Sequence, residues 1–154
     1  MKTLILYASK YGATKEIANR IASKIDNAVV CDLKQGNLPS IADYGCIIVG
    51  SSLYAGSIRK EAKVFAAENA NILAEKKLGL FLSGFAADEK YFATNYPQNL
   101  LDIVKAKAFL GGIFDPQKAV GFERFIIKLV MKQKEYVERI DDEAIARFVS
   151  NMEY

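Results

Sequence analysis

Apolar runs and helix-patterned stretches alternate along almost the whole chain. The first run, residues 2–8, leads to a helix expected over 14–26, where Ile17, Ile21 and Ile25 repeat at four-residue spacing. A second strand is expected near 28–33 and a third at 46–50. A helix over about 59–73 follows, then a fourth strand at 78–82. A helix near 97–104 leads to a fifth strand at 106–111. The last helix is expected over 141–152, with Ile145, Phe148, Val149 and Met152 facing inward and Asp141, Asp142 and Glu143 complementing its N-terminal dipole.

Continuously apolar strands separated by helices imply a parallel sheet covered on both faces. With right-handed crossovers, five such strands give a doubly wound α/β domain of order 2-1-3-4-5 spanning residues 1–154. In that arrangement ligands bind outside the carboxyl ends of the strands, at the switch point between strands 1 and 3. The loops there fall at 9–14, 51–58 and 83–91.

The first of these loops, Ser9, Lys10, Tyr11, Gly12, Ala13 and Thr14, joins a strand directly to a helix. Such a turn aims the free first-turn amides and the positive end of the helix dipole at one point, which suits a phosphate. Ser9 and Thr14 add hydroxyls, and Gly12 permits close approach of the backbone. The glycine spacings of a Walker loop and of a dinucleotide fingerprint are both missing. A loop that only caps its helix would look similar. The second loop carries Ser51, Ser52, Leu53, Tyr54, Ala55 and Gly56, in which Tyr54 offers a flat face to an aromatic ring. The third, with Ser83, Gly84 and Phe85, offers backbone donors and a second wall. Three small-residue loops at one end of a sheet point together to a flavin mononucleotide (FMN) site.

With these residues on view, the chain resembles the flavodoxin-like superfamily, and within it the menaquinone-linked protoporphyrinogen IX dehydrogenases of flavodoxin type. The resemblance is carried by Ser9, Gly12, Thr14, Glu16, Ile17 and Ala18, by Gly50 and Ser52 at the end of strand 3, and by the run from Arg124 to Lys132. It implies an FMN cofactor and a redox partner, either a quinone or an electron-transfer protein. It also implies that the segment preceding the last helix helps such an enzyme meet the membrane. Tyr11 stands where electron-carrier flavodoxins usually carry a threonine, and Lys10 is expected to compensate by charge.

That segment, residues 112–138, is long for a strand-to-helix connection. Phe122, Phe125, Ile126, Leu129 and Val130 share one helical face, and Arg124, Lys128, Lys132 and Lys134 lie mostly on another. A basic amphipathic helix of this kind, over 121–134, either lies on an anionic membrane, docks on a partner or packs on its own domain.

Composition narrows the chemistry. The chain has 154 residues, a formal charge of +3 and no histidine, so imidazole catalysis and histidine-ligated metals are excluded. No metal site is expected, and no side chain is assigned as a catalytic acid or base. Cys31 and Cys46 fall on strands two sheet spacings apart, roughly 10 Å, too far for a disulfide. No basic stripe with interleaved aromatics suggests nucleic acid. Met1-Lys2 leads straight into the first strand and no apolar run is long enough to span a bilayer. The expected location is cytoplasmic, with peripheral contact at the inner face of the cell membrane open through 121–134. Two functions remain in view: an FMN oxidoreductase passing electrons from a porphyrinogen-like donor to a membrane quinone, and a soluble flavodoxin-type carrier between redox proteins. The positive net charge counts against the carrier, which would meet basic partners through an acidic face.

Overall fold

The computed structural model describes residues 1–114 and 137–153. The central sheet contains β1 (Thr3–Ala8), β2 (Ala28–Asp32), β3 (Cys46–Tyr54), β4 (Ser57–Ile58), β5 (Lys77–Ser83) and β6 (Ala106–Phe109). Its parallel strands run β2-β1-β3-β5-β6, with the two-residue β4 folded antiparallel onto the end of β3. Leaving β4 aside, this is the five-stranded 2-1-3-4-5 order that the sequence predicts.

Strand alternation divides the core between the two faces of the sheet. Leu4, Leu6, Ile47, Val49, Leu78 and Leu80 face one layer of helices: α2 (Lys60–Glu68), α3 (Ala70–Leu73), α4 (Lys90–Asn95) and α5 (Gln98–Leu101). Ile5, Tyr7, Cys46, Ile48 and Phe81 face the other, made by α1 (Ala13–Ala22) and the C-terminal helix α6 (Asp142–Asn151). Ile17 and Ile21 from α1 and Ile145 and Phe148 from α6 are almost wholly buried there, as their spacing requires. Cys31 packs against the first core and Cys46 belongs to the second, and among the described residues neither is in a disulfide.

Several boundaries differ from the sequence pattern, for local reasons. The helix expected over 59–73 breaks at Asn69, whose side-chain amide donates to the Phe65 carbonyl at 2.9 Å and whose backbone leaves the helical region (φ −112°, ψ 14°). The helix expected over 14–26 stops at Ala22, although Ile25 beyond it is still buried. The helix near 97–104 is a single turn. Helix α4 has no counterpart in the sequence expectation, which ends the third loop at 91 and begins the next helix near 97.

Beyond β6 the chain forms β7 (Ile113–Phe114), which pairs antiparallel with β8 (Val137–Glu138). The long segment before the last helix thus leaves and returns through a two-stranded ribbon. The amphipathic helix expected over 121–134 lies outside the described residues. Arg20 on α1 ties the returning limb down by binding the carboxylates of Glu138 on β8 and Asp142 on α6, together with Glu16 on its own helix. Among the described residues no helix is long and apolar enough to cross a membrane, and no cluster of side chains could hold a metal ion.

Candidate functional site

Strand register brings the three loops to one end of the sheet. Ala8 pairs with Ser51 and Ser52 pairs with Ser83, so β1 and β5 end beside Ser51 and Ser52 of β3, which runs two residues further, and all three parallel strands point to the same edge.

The first loop is folded on itself. The Ser9 hydroxyl accepts from the Gly12 amide at 2.9 Å. Gly12 begins α1 in the left-handed region (φ +100°), a conformation that an L side chain resists. Among the described residues no side chain caps α1, and the first-turn amides have no partner within the helix itself. Ala13 and Thr14, the first two residues of the helix, are buried. The Thr14 hydroxyl is 2.7 Å from that of Ser83, and both residues are at most 1% exposed. This hydroxyl, which the sequence offers to a ligand, joins the first loop to the third.

The second loop proves to be mostly strand. β3 continues through Ser51, Ser52, Leu53 and Tyr54, and Ala55-Gly56 turns the chain into β4, both with positive φ (49° and 81°). The buried Ser51 hydroxyl accepts from the Arg59 amide and donates to the Ser52 carbonyl, each at 2.9 Å, and so holds the hairpin's return against its stem. Asn95 clamps the hairpin from α4. Its carbonyl accepts from the Ile58 amide at 3.1 Å, and its NH2 donates to the carbonyls of Gly56 and Tyr91 at 2.9 and 2.8 Å. Nothing in the sequence marks Asn95 for this part, because its partners lie in a loop 37 and 39 residues away.

The third loop rests on the foot of the ribbon. The Gly84 amide, one of the donors expected for a ligand, is taken by the Gly111 carbonyl at 2.9 Å. Gly112 packs so close to Gly84 that a Cβ there would stand 3.2 Å from the Gly84 carbonyl oxygen. Phe85 is half-buried beside them.

Charge gathers on the other side of the opening. The Lys10 ammonium lies 5.5 Å from the centre of the Tyr11 ring and 5.8 Å from that of Tyr54, bridging the first two loops over aromatic faces. Burial, then the charges of Arg59 and Lys34, hold this ammonium below its ordinary pKa. Burial also raises the Tyr11 phenol, Tyr54 adds to the rise, and Arg59 opposes it. The charge of Arg59 is therefore felt at the first loop.

A doubly wound sheet ending in three such loops defines a class of nucleotide-binding α/β proteins. The chain belongs to the flavodoxin domain family, whose model matches residues 4–141. It is similar to protoporphyrinogen IX dehydrogenase [quinone] of Escherichia coli K12, at 24% identity over 144 residues that cover 86% of this chain and 80% of the relative. Among solved structures it is similar to oxidised flavodoxin 2 of Bacillus cereus (TM-score 0.64, 24% identity, 99% of this chain and 97% of the other). A flavoprotein of Lactobacillus acidophilus in complex with FMN also shares the fold (TM-score 0.58, 18% identity, 70% of this chain and 92% of the other).

Proposed function

We propose that this protein binds FMN at the three loops and acts as an oxidoreductase, passing electrons from a porphyrinogen-like donor to a membrane quinone. The observation that carries the cofactor is the convergence of the loops, fastened by the Thr14–Ser83 hydroxyl pair across 69 residues of sequence. The residues present suit FMN. The first-turn amides of α1 and nearby cations match a phosphate, and Tyr54 stands where a flat ring needs a wall. The first loop would hold the phosphate, while 51–56 and 83–85 would flank the flavin. The flavin, when bound, supplies the two-electron chemistry. This chain's residues position it and exclude water. No side chain in the loops is assigned a proton, so proton exchange falls to substrate, quinone and solvent. Support for the donor and acceptor comes from the likeness to the E. coli dehydrogenase over 86% of the chain. The basic amphipathic stretch at 121–134 is the proposed membrane contact, which would keep the protein peripheral at the inner face of the membrane.

Turnover tests this reading. FMN-loaded protein given protoporphyrinogen IX and a menaquinone analogue should form one quinol for each pair of hydrogens removed from the donor. Anionic vesicles carrying the quinone should raise the rate. A loaded protein that reduces no quinone but exchanges single electrons with redox proteins would instead be a carrier.

A further inference from the structure

We infer that Arg59 is a phosphate-binding residue of the flavin site, its guanidinium meeting the FMN phosphate beside the first-loop amides. This rests on the cofactor reading above and adds to it a specific cation. Position comes first. Arg59 directly precedes α2, and its amide is bound to Ser51, whose strand partner is Ala8, the residue before the first loop. The guanidinium therefore starts from a backbone tied to Ser51, which itself stands one strand spacing from Ala8.

Its state is the second observation. The Nε of Arg59 is buried without a hydrogen-bond partner, and among the described residues no carboxylate pairs with its charge. A buried unpaired guanidinium N–H is costly, and Arg59 stands near a second cation, the Lys10 ammonium. An anion seated at the first loop gives that N–H a partner. The planar donor fork of arginine matches two phosphate oxygens, which a point charge does not do. In the same loop the Thr14 hydroxyl is engaged with Ser83, while the Ser9 hydroxyl accepts from the Gly12 amide and keeps its proton. A cationic donor thus adds to the hydroxyl that the loop leaves available.

The test compares FMN with riboflavin, which lacks the phosphate, on flavin-free protein by fluorescence quenching. Arg59→Gln should weaken FMN about 10- to 30-fold while riboflavin changes by less than about twofold. Arg59→Lys should recover part of the loss, and Lys63→Gln, an exposed charge on α2, should leave both unchanged. Inorganic phosphate should raise the melting temperature of the flavin-free wild type and not that of Arg59→Gln. If wild-type protein binds FMN tightly and Arg59→Gln binds it equally well, the inference is overturned and the cofactor reading stands. An equal loss for FMN and riboflavin would also overturn it, by making Arg59 merely structural. Failure of the wild type to bind FMN would remove the cofactor reading itself. Should Arg59→Gln not fold, the FMN-to-riboflavin ratio of Arg59→Lys decides, an unchanged ratio counting against the inference.

Discussion

Gly111→Ala is expected to lower the stability of the fold by about 4 kcal/mol, the sum of a strained backbone and a clash that side-chain movement cannot relieve. Gly111 has φ +93°, and a Cβ built there falls 1.9 Å from the Arg139 carbonyl oxygen and 2.8 Å from the Ile140 Cα. Both obstacles are backbone, so the returning limb of the ribbon must move. That limb is held by the Arg139 amide on the Gly112 carbonyl at 2.8 Å and the Asp141 amide on the Leu110 carbonyl at 3.1 Å. The Gly111 carbonyl also accepts from Gly84, so the displacement reaches the third loop. In a chain of this size the melting temperature should fall by about 10 °C, and FMN affinity should fall beyond what lost stability explains. A melting temperature within about 2 °C of wild type would show that this foot carries little of the architecture.

Asn95→Ala should cost about 3 kcal/mol and loosen the second loop. Asn95 is 6% exposed, and removing its amide strips the buried Ile58 amide of its acceptor and the Gly56 and Tyr91 carbonyls of a donor. Water can reach such groups only by opening the hairpin. Asn95→Asp separates the two halves of the interaction. It keeps an acceptor for Ile58 but sets a second oxygen against two carbonyls, and is expected to be at least as destabilising as alanine. Hydrogen exchange should show the hairpin amides of 53–58 opening faster in both variants. Unchanged exchange there, with a small stability loss, would remove Asn95 from the account of the loop.

These two residues mark where the sequence stops being legible. The strands could be read because each is a continuous apolar run, and α1 and α6 because Ile17 and Ile21, or Ile145 and Phe148, repeat on one face. The three loops could be read because strand order alone determines which connections share an end of the sheet. Helix α4 escaped because one and a half turns, with only Phe92 and Asn95 buried within it, are too short to establish a period. The break at Asn69 escaped because apolar spacing continues across it from Phe65 to Leu73, and only a side-chain bond back to Phe65 ends the helix. The hairpin escaped because its turn is Ala55-Gly56, without the Asn-Gly or Asp-Gly pair that usually announces one. Within the site, residue types were legible and their bonds were not. The bond between Thr14 and Ser83 is invisible in the sequence, because no local pattern encodes a contact between residues so far apart in the chain. Arg59 carries no mark in the sequence, because its relation to Ser51 and Lys10 is made only by the fold.

FMN titration of purified flavin-free protein, with riboflavin as the control, tests the central claim most directly. The three-loop site predicts saturable quenching with one FMN per chain and an affinity at least about 100-fold above that for riboflavin, since the amides at the start of α1 and the cations beside them act on the phosphate. Binding of neither flavin, or equal binding of both, would contradict it and leave a flavodoxin-family fold put to another use.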